Sequence, residues 1–386
     1  MPKKILFPFE GDTVIGGSHV SAMKLAAALD RSKYEPHILI HYEAGPAADY
    51  AQSLGLDFEV LEEPSLMSPG GLSYPKDCGA GAYMISSMRR LVSTLSRIDP
   101  DIVHTNEGRM HANWVLPTKL GGKKHIWHHR QDPTAFGINK LAPLFSDHII
   151  SVSQFAKPSK PLRSVDQKFT VVRSPFDFNP NPPDRETSRQ AVLAEMNLPD
   201  NAILLGYFGN FVTRKRPDHF VKVIAAIQKA MPDVPVHGFL FGSVAERDEE
   251  LKQSCLDIAA DAGITDSIHL MGFRQPIDGY MAAMDANLVT ALDEPFGRTL
   301  IEAMYLGTPV VATRHGGNIE AIRDRENGFL VDPFDPAAFV EPVKQLRQDK
   351  ELRDRISATA QAYANENFGL SIHVQGVCEI YDRLLS

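Results

Sequence analysis

Short apolar runs alternate with longer stretches whose apolar residues recur at helical spacing, from the N-terminus onward. The run Lys4–Phe9 is followed by a glycine loop at residues 11–17 and an apolar-periodic stretch from Val20 to Leu29. Residues 37–41 form the next apolar run. Strand, loop, helix and strand in this order make a βαβ unit, from which parallel sheets are built. The pattern also predicts strands at residues 101–104, 125–129, 147–152 and 169–172, and a helix at residues 83–97.

Five prolines interrupt this pattern over residues 174–200 and indicate a linker. The alternation restarts with the apolar run Ile203–Phe208, a loop at residues 209–217 and a helix at residues 219–230. We therefore predict two successive α/β domains of similar size. The second has further strands at residues 236–241, 267–271, 286–290 and 309–312, and helices at residues 249–262, 277–284 and 298–306.

Composition narrows the class of protein. The chain has 386 residues, which suits two domains of ~100–200 residues each. It has 40 basic and 48 acidic residues and a net charge of −8, which argues against a broad nucleic-acid surface. The apolar runs are shorter than the ~18–20 residues of a membrane span, and Met1–Lys4 leads into a strand instead of a secretory signal. The three separated cysteines indicate neither a disulfide framework nor a cysteine metal site. We expect a soluble, cytosolic, two-domain enzyme.

The most informative segment follows the predicted strand at residues 286–290. A loop at residues 292–297 leads to a helix that begins near Arg298. Ligands of parallel sheets lie beyond the carboxyl ends of strands, and a helix N-terminus there offers unpaired N–H groups to phosphate. Glycines would let the backbone approach that phosphate closely. Such glycines occur at Gly297, Gly316 and Gly317.

Two carboxylates flank this helix start. Glu294 precedes the helix and Glu302 lies in its second turn. Beside a phosphate site they can accept hydrogen bonds from sugar hydroxyls. A plainer interpretation makes Glu294 a partner of the helix dipole and Glu302 a solvated helix residue. The flanking glycines favour the ligand site.

The segment Glu294-Pro-Phe-Gly-Arg-Thr-Leu-Ile-Glu302, followed by Gly316-Gly317-Asn-Ile-Glu, closely resembles the E-x7-E signature of family 4 retaining glycosyltransferases. The resemblance covers nearly the whole chain. It implies the GT-B fold, an α/β architecture of two Rossmann-like domains facing each other across a cleft. Residues 1–178 would be the acceptor-binding domain and residues 179–368 the nucleotide-sugar-binding domain. Residues 369–386 would be a closing helix that returns to the first domain.

The resemblance also assigns roles on the donor side. Glu302 would hold the nucleotide ribose, and Glu294 would contact the donor sugar near the diphosphate. Backbone amides following Phe296 would hold the diphosphate. These are the amides of Gly297, Arg298, Thr299 and Leu300.

A second donor loop lies between Gly209 and Lys215, and it resembles the family's phosphate loop. Lys215 matches the lysine that neutralises charge on the leaving nucleoside diphosphate. The family usually has an arginine directly after the glycine, and here that residue is Asn210. Arg214 is the candidate replacement. The alternative is that Arg214 belongs to a solvated basic turn.

In the first domain, Gly16 and Gly17 match the glycine loop that closes over donor phosphate and acceptor. Gly17 stands where an ATP-binding P-loop needs lysine, which excludes that class. The family usually places a histidine beside the donor sugar, and the register allows either His129 or Arg130 there. Arg130 would exclude general-base catalysis at that position. A metal site formed by His125, His128 and His129 is disfavoured by spacing, and we expect no metal or other cofactor.

The turn ending in Phe273 and Arg274 resembles the one that contacts the nucleotide base, with core packing of Phe273 as the alternative. The helix at residues 83–97 has one apolar side. An interfacial helix is one interpretation, since many relatives act on lipid-linked acceptors at the inner membrane. We favour core packing. The residues of that side are Met84, Ile85, Met88, Leu91, Val92, Leu95 and Ile98.

The sequence therefore predicts a retaining glycosyltransferase that moves a hexose-type sugar from a nucleoside diphosphate, UDP before GDP. The acceptor would be a glycan or a lipid-linked molecule, as in bacterial surface polysaccharide or glycolipid synthesis. The protein would be cytoplasmic, with peripheral contact to the inner membrane as an open alternative. A nucleotide-sugar epimerase of the same fold and a non-catalytic binding protein are the rival interpretations. The sugar, the acceptor and the oligomeric state stay open.

Overall fold

The computed structural model describes residues 1–11, 15–68, 77–176 and 178–386. These residues divide into two compact units. The first comprises residues 1–175 and 370–386, and the second comprises residues 176–369.

The first unit is built on a parallel sheet of seven strands in the order β3-β2-β1-β6-β7-β8-β9. Its strands are β1 (Lys3–Glu10), β2 (Tyr34–His41), β3 (Phe58–Leu61), β4 (Leu66–Met67), β5 (Asp77–Cys78), β6 (Ile102–Thr105), β7 (Lys124–His129), β8 (His148–Ser151) and β9 (Phe169–Val171). Its helices are α1 (Gly17–Ala28), α2 (Gly45–Ser53), α3 (Ala80–Ala82), α4 (Met88–Ile98), α5 (Gly108–Leu120), α6 (Phe136–Lys140) and α7 (Ala142–Phe145). Strands β4 and β5 form a separate parallel pair. The C-terminal helix, Leu370–Leu385, also belongs to this unit.

The C-terminal helix completes the core of the first unit. Val377, Ile380 and Tyr381 of this helix are buried in one cluster with Phe7 and Phe9 of β1. Because a central parallel strand is covered on both faces, its sequence is almost continuously apolar. The pattern of β1 follows this rule, and the predicted α/β class is confirmed.

The helix predicted at residues 83–97 packs only in part as expected. Leu91, Leu95 and Ile98 are buried in a cluster with β6. The core prediction is wrong for Met84 and Ile85, which are 48% and 73% exposed. These two residues lie in a π-helical turn, Tyr83–Ser87, between α3 and α4. The turn changes the angular spacing of the side chains, so the helical pattern does not carry through it.

The second unit has a parallel sheet of six strands in the order β12-β11-β10-β13-β14-β15. Its strands are β10 (Ile203–Phe208), β11 (Val236–Phe241), β12 (Ile268–Gly272), β13 (Ala286–Val289), β14 (Val310–Thr313) and β15 (Phe329–Val331). Its helices are α8 (Arg185–Glu195), α9 (Pro217–Ala230), α10 (Glu249–Asp261), α11 (Asp278–Ala283), α12 (Arg298–Tyr305), α13 (Asn318–Ala321), α14 (Val340–Gln348) and α15 (Lys350–Asn367). The C-terminal helix of the first unit is α16. The apolar runs predict β10 and β11 at their observed bounds, whereas they do not predict β3 or β15.

Local sequence signals start the helices of the second unit. The Asp184 side chain accepts the Thr187 N–H at 2.8 Å and caps α8. Asp349 caps α15 in the same way, through the Leu352 N–H at 2.9 Å. Pro217 opens α9, where the missing N–H is harmless. These signals fix where α8, α9 and α15 begin.

Over the part of the chain described, the helices fall short of the length and apolar character needed to cross a membrane.

Candidate functional site

The strand order of the second unit creates a crevice at one edge of its sheet. Strand β10 pairs with β11 on one side and with β13 on the other. The chain thus runs outward from β10 to β12 and then returns to the opposite side of β10. In parallel sheets the loops diverge at such a reversal, and ligands bind there beyond the carboxyl ends of the strands.

The loops that follow β10 and β13 meet at this edge. The Leu292 N–H donates to the Arg214 carbonyl at 2.8 Å. The Thr290 hydroxyl lies 2.9 Å from the Lys215 carbonyl oxygen and 3.0 Å from that of Arg216. The sequence predicts both loops as site segments but gives no sign of the role of Thr290. Thr290 thus holds the turn at residues 214–216 against the loop at residues 292–297.

Lys215 extends across Gly209. A Cβ atom added to Gly209 would lie 2.5 Å from Lys215 Nζ and 2.9 Å from its Cδ, so a side chain at 209 would displace the lysine. Burial lowers the pKa of Lys215, while Glu294 and then Glu302 act to raise it. The Lys215 ammonium group therefore interacts electrostatically with both predicted carboxylates.

Asn210 has a structural role in this loop. Its Oδ1 accepts the Ser243 N–H at 3.2 Å and joins the loops that follow β10 and β11. Gly242 permits this approach, since a Cβ there would lie 2.1 Å from the Gly209 carbonyl oxygen. Asn210 thus contributes no charge. The positive charge that the family's arginine would supply beside Glu294 comes here from Arg214, which forms an ion pair with Glu294.

Two glycines shape the loop that carries Glu294. The Gly317 N–H donates to the Glu294 carbonyl at 2.8 Å. A Cβ on Gly316 would lie 2.8 Å from that same oxygen, and one on Gly317 would lie 2.4 Å from the Pro295 oxygen. His315 also holds this loop in place, because its Nδ1 accepts the Asp293 N–H at 3.1 Å. The sequence signals the glycines but not His315.

Helix α12 begins at the same edge, with Gly297 as its N-terminal cap. The Ile301 N–H makes the first helical bond, to the Gly297 carbonyl at 3.4 Å. The N–H groups of Arg298, Thr299 and Leu300 precede that bond and have no carbonyl within the helix to accept them. They form the positive end of the helix dipole. Phe296 is buried beneath this start.

Glu302 lies one turn into α12. Its Oε1 is 3.7 Å from Arg298 Nη2, and its side chain is 35% exposed. Burial raises the pKa of the Glu302 carboxyl, while Arg298 and Lys215 lower it. The Arg298 guanidinium lies 4.4 Å from the centre of the Phe176 ring, which fixes its direction.

A cavity of about 350 Å³ opens beside this edge at the ends of β11 and β12. Its walls are mainly apolar, with Lys252 as a cation at the rim. Phe273 lines it and is 66% exposed, so the core-packing alternative for Phe273 is wrong. Arg274 is also exposed. A flat aromatic group would stack on Phe273 here.

In the first unit, Gly16 and Gly17 are exposed at the start of α1. The Gly16 N–H donates to His19 Nδ1 at 3.3 Å, and His19 Nε2 lies 3.1 Å from Glu107 Oε2. Residues 12–14 of the glycine loop lie outside the described residues.

His129 and Arg130 differ in their surroundings. His129 is buried, its Nε2 donates to the Asp132 carbonyl at 3.1 Å, and burial lowers its pKa to about 4. Arg130 donates from Nη1 to the Ser174 hydroxyl at 2.7 Å. Among the residues described, no three His, Cys, Asp or Glu side chains are arranged to hold a metal ion.

Part of the chain is similar in sequence to known glycosyltransferases. Residues 188–363 match the family described as "Glycosyl transferases group 1". D-inositol 3-phosphate glycosyltransferase of Salinispora arenicola is 31% identical over 212 residues, 53% of this chain and 46% of that protein. Lipopolysaccharide core biosynthesis glycosyltransferase LpsE of Rhizobium meliloti is 30% identical over 164 residues, 42% of this chain and 45% of that protein. The matched part thus spans about half the length of these curated relatives.

Solved structures extend the similarity to both units. Anabaena Alr3699/HepE in complex with UDP superposes with a TM-score of 0.78 at 20% identity, over 98% of this chain and 100% of that one. A glycosyltransferase from Rickettsia africae gives 0.79 at 18% identity, over 100% and 99%. At these identities the similarity concerns the fold.

Proposed function

We propose, from the match of residues 188–363 to the group 1 glycosyltransferases and from the GT-B fold that the two units share with solved structures, that the protein is a retaining glycosyltransferase. It transfers a hexose-type sugar from a nucleoside diphosphate, UDP before GDP, to a glycan or lipid-linked acceptor. One observation carries the proposal. Lys215, Glu294 and the start of α12 converge where β10 and β13 end.

The charges of this edge suit a nucleoside diphosphate. Phosphate oxygens would accept the N–H groups of Arg298, Thr299 and Leu300 at the start of α12. Lys215 would neutralise the charge that develops as the bond to the sugar breaks, and its burial strengthens this interaction. A carboxylate and a phosphate repel each other, so Glu294 and Glu302 would contact a different part of the donor.

The two glutamates would contact the two sugars of the donor, the ribose of the nucleotide and the sugar that is transferred. Glu302 would accept hydrogen bonds from the ribose hydroxyls, and Glu294 would contact the donor sugar. Arg214 forms an ion pair with Glu294 and offsets its charge. The cavity lined by Phe273 would take the base. HepE, which shares this fold, has been solved with UDP and with UDP-glucose, and this supports the choice of UDP.

Retention of the anomeric configuration follows from the family resemblance. In the front-face route, the acceptor oxygen attacks the anomeric carbon on the side that the diphosphate leaves. A leaving phosphate oxygen takes the acceptor proton, so no protein nucleophile is needed. The relatives named for lipopolysaccharide core and inositol phosphate glycosylation support an acceptor with hydroxyl groups. We place the reaction in the cytoplasm, with the inner-membrane surface as the site for a lipid-linked acceptor.

The experiment is a donor panel. Purified protein is incubated with UDP-, GDP-, ADP- and TDP-sugars, and release of nucleoside diphosphate is measured for wild type, Glu302→Ala and Lys222→Ala. Lys222 lies on α9 and pairs with Asp218, so its loss is the control for a removed charge. Release from one donor that Glu302→Ala abolishes and Lys222→Ala preserves supports the transferase. Conversion of a UDP-sugar to its epimer without release would instead support the epimerase.

A further inference from the structure

Another cavity of the second unit lies at the edge of its sheet opposite to the proposed donor site. It has a volume of about 480 Å³ and lies between residues of α8 and α15 and the segments that precede the strands. Asp285 comes directly before β13, and Gly307 lies between α12 and β14, so both mark the amino edge of the sheet. None of the described residues that line this cavity belongs to the proposed donor site.

Positive charge predominates on the walls of this cavity. Among the residues described, five cationic side chains line it, against four carboxylates. The cations are Arg185, Arg189, Arg347, Lys350 and Arg353, and the carboxylates are Glu186, Asp200, Asp285 and Asp354.

Two of the carboxylates are bound by two of the cations. Asp285 Oδ2 accepts hydrogen bonds from Arg189 Nη1 and from the Leu204 N–H, each at 2.8 Å. Asp354 forms an ion pair with Lys350. These charges offset each other, which leaves three guanidinium groups and two exposed carboxylates to determine the charge of the cavity.

The three remaining arginines have no hydrogen bond to a carboxylate within the described part of the chain. Arg185 donates to the Met284 carbonyl at 2.8 Å and also to the Gly307 carbonyl. Arg347 donates to the Asn201 carbonyl at 3.2 Å. Carbonyl groups accept these hydrogen bonds without cancelling the positive charge.

Arg353 has the least satisfied guanidinium of the three. Its side chain is only 29% exposed, and its Nε lies 3.7 Å from Asp354 Oδ1, beyond hydrogen-bond distance. Its guanidinium has no hydrogen-bond acceptor among the residues the structure describes. Burial lowers the pKa of Arg185, and the Arg353 charge acts in the same direction, whereas Asp285 opposes both. A largely buried guanidinium without an acceptor and near a second cation is unfavourable, and a bound anion would remove this cost.

The cavity also offers neutral polar groups. Ser357 and Gln361 line it and lie four and eight residues after Arg353 on α15, on the same face of that helix. Gln361 Nε2 donates to the Tyr305 carbonyl at 3.1 Å, so its Oε1 is the atom that can accept from a ligand. The Ser357 hydroxyl can donate and accept. These groups suit hydroxyls of a ligand beside its anionic end.

We propose that this cavity binds a small phosphorylated molecule with hydroxyl groups, its phosphate on Arg353 and its hydroxyls on Ser357 and Gln361. A guanidinium donates two parallel hydrogen bonds to phosphate oxygens, and Arg185 and Arg347 add positive charge. The volume lies within the ~300–1,000 Å³ of small-molecule sites. Binding here does not require the proposed transferase activity, since the site lies at the other edge of the sheet.

The first test follows binding of glycerol 3-phosphate by NMR. The compound is titrated into the full chain labelled with nitrogen-15, and a reference sample receives sodium chloride to the same ionic strength. The amide signals of Gly307 and Ser357 should shift and saturate. Arg353→Gln should weaken binding roughly 10-fold, because a hydrogen bond to a charged group is lost. Arg355→Gln is the matched control, since Arg355 is exposed on α15 outside the cavity, and its affinity should equal that of wild type.

The second test separates the phosphate from the hydroxyls. Inorganic phosphate should bind more weakly than glycerol 3-phosphate, and glycerol alone should leave both amide signals in place. Ser357→Ala should remove the difference between the two phosphates, whereas Lys215→Ala should bind glycerol 3-phosphate as wild type does. Equal binding by Arg353→Gln and wild type, or signal changes confined to residues 209–217 and 297–300, would overturn the inference.

Discussion

Gly209→Ala is expected to displace the Lys215 ammonium group from its position and so lower turnover, although the lysine itself is kept. The added methyl group would lie 2.5 Å from Lys215 Nζ, and an ordinary contact begins at 3.4 Å, so the ammonium must move by at least 0.9 Å. A displacement of about 1 Å at a reacting centre lowers turnover by roughly 10- to 100-fold. We therefore predict a kcat reduced by that factor.

Backbone strain has to be separated from this displacement. Gly209 has a φ of +156°, which an alanine rarely adopts. Gly263, after α10, has a φ of +67°, and a methyl group added there would have no atom within 4 Å. Gly263→Ala thus introduces strain of about 1–2 kcal/mol away from the site. It is the matched control.

The assay measures kcat, the donor KM and the thermal unfolding midpoint of both variants. Both should lose stability, but only Gly209→Ala should lose kcat. If Gly209→Ala keeps wild-type turnover with a loss of stability like that of the control, then Lys215 has no role in the chemical step.

Three further outcomes are expected. Glu302→Gln should raise the donor KM at least 10-fold with a smaller change in kcat, because ribose binding is lost more than transition-state charge; steady-state kinetics with an unchanged KM would contradict this. Gly317→Ala should weaken nucleoside diphosphate binding and lower the unfolding midpoint, since its methyl group would lie 2.4 Å from the Pro295 oxygen; calorimetry on this variant should show both changes. Burial lowers the pKa of His41, His125 and His373 to about 3 in the folded protein, whereas the pKa of an unfolded histidine is near 6.5. At a pH between these two values the unfolded chain therefore binds protons that the folded chain does not bind. The unfolding free energy should fall by about 1.4 kcal/mol per pH unit for each histidine as the pH drops from about 6.5 towards 3, and urea titrations that are flat between pH 7.5 and 5.5 would refute it.

Much of the second unit can be predicted from the sequence because its signals are local. Apolar runs define β10 and β11, and the spacing of Glu294 and Glu302 places one before a helix and the other inside it. Glycines at 316 and 317 indicate a close backbone approach, and the structure has one at the Glu294 loop.

The remaining features depend on segments that are distant in the sequence. Thr290 and His315 support the two loops through contacts that no local pattern encodes. The ion pair of Arg214 with Glu294 joins residues 80 positions apart. Exposure of Ile85 depends on a π-helical turn, which apolar spacing does not reveal.

The histidines of the first unit show the same limit. The sequence shows His128 in one short run with His125 and His129, whose spacing disfavours a metal site. The hydrogen-bond partner of His128 is His104, which lies on the adjacent strand. His104 is bonded in turn to the hydroxyl of Tyr381, which lies on α16. Only the return of α16 to the first unit brings Tyr381 to His104.

The central claim is that Lys215 and Glu302 form a nucleoside diphosphate site where β10 and β13 end. Its most direct test is the dissociation constant of UDP, measured by calorimetry for wild type, Lys215→Ala, Glu302→Ala and Lys222→Ala, with GDP, ADP and TDP in parallel. We predict saturable binding of one nucleotide that falls at least 10-fold in Lys215→Ala and Glu302→Ala and is unchanged in Lys222→Ala. Binding that survives both site variants, or wild-type protein that binds none of the four nucleotides, would contradict the claim.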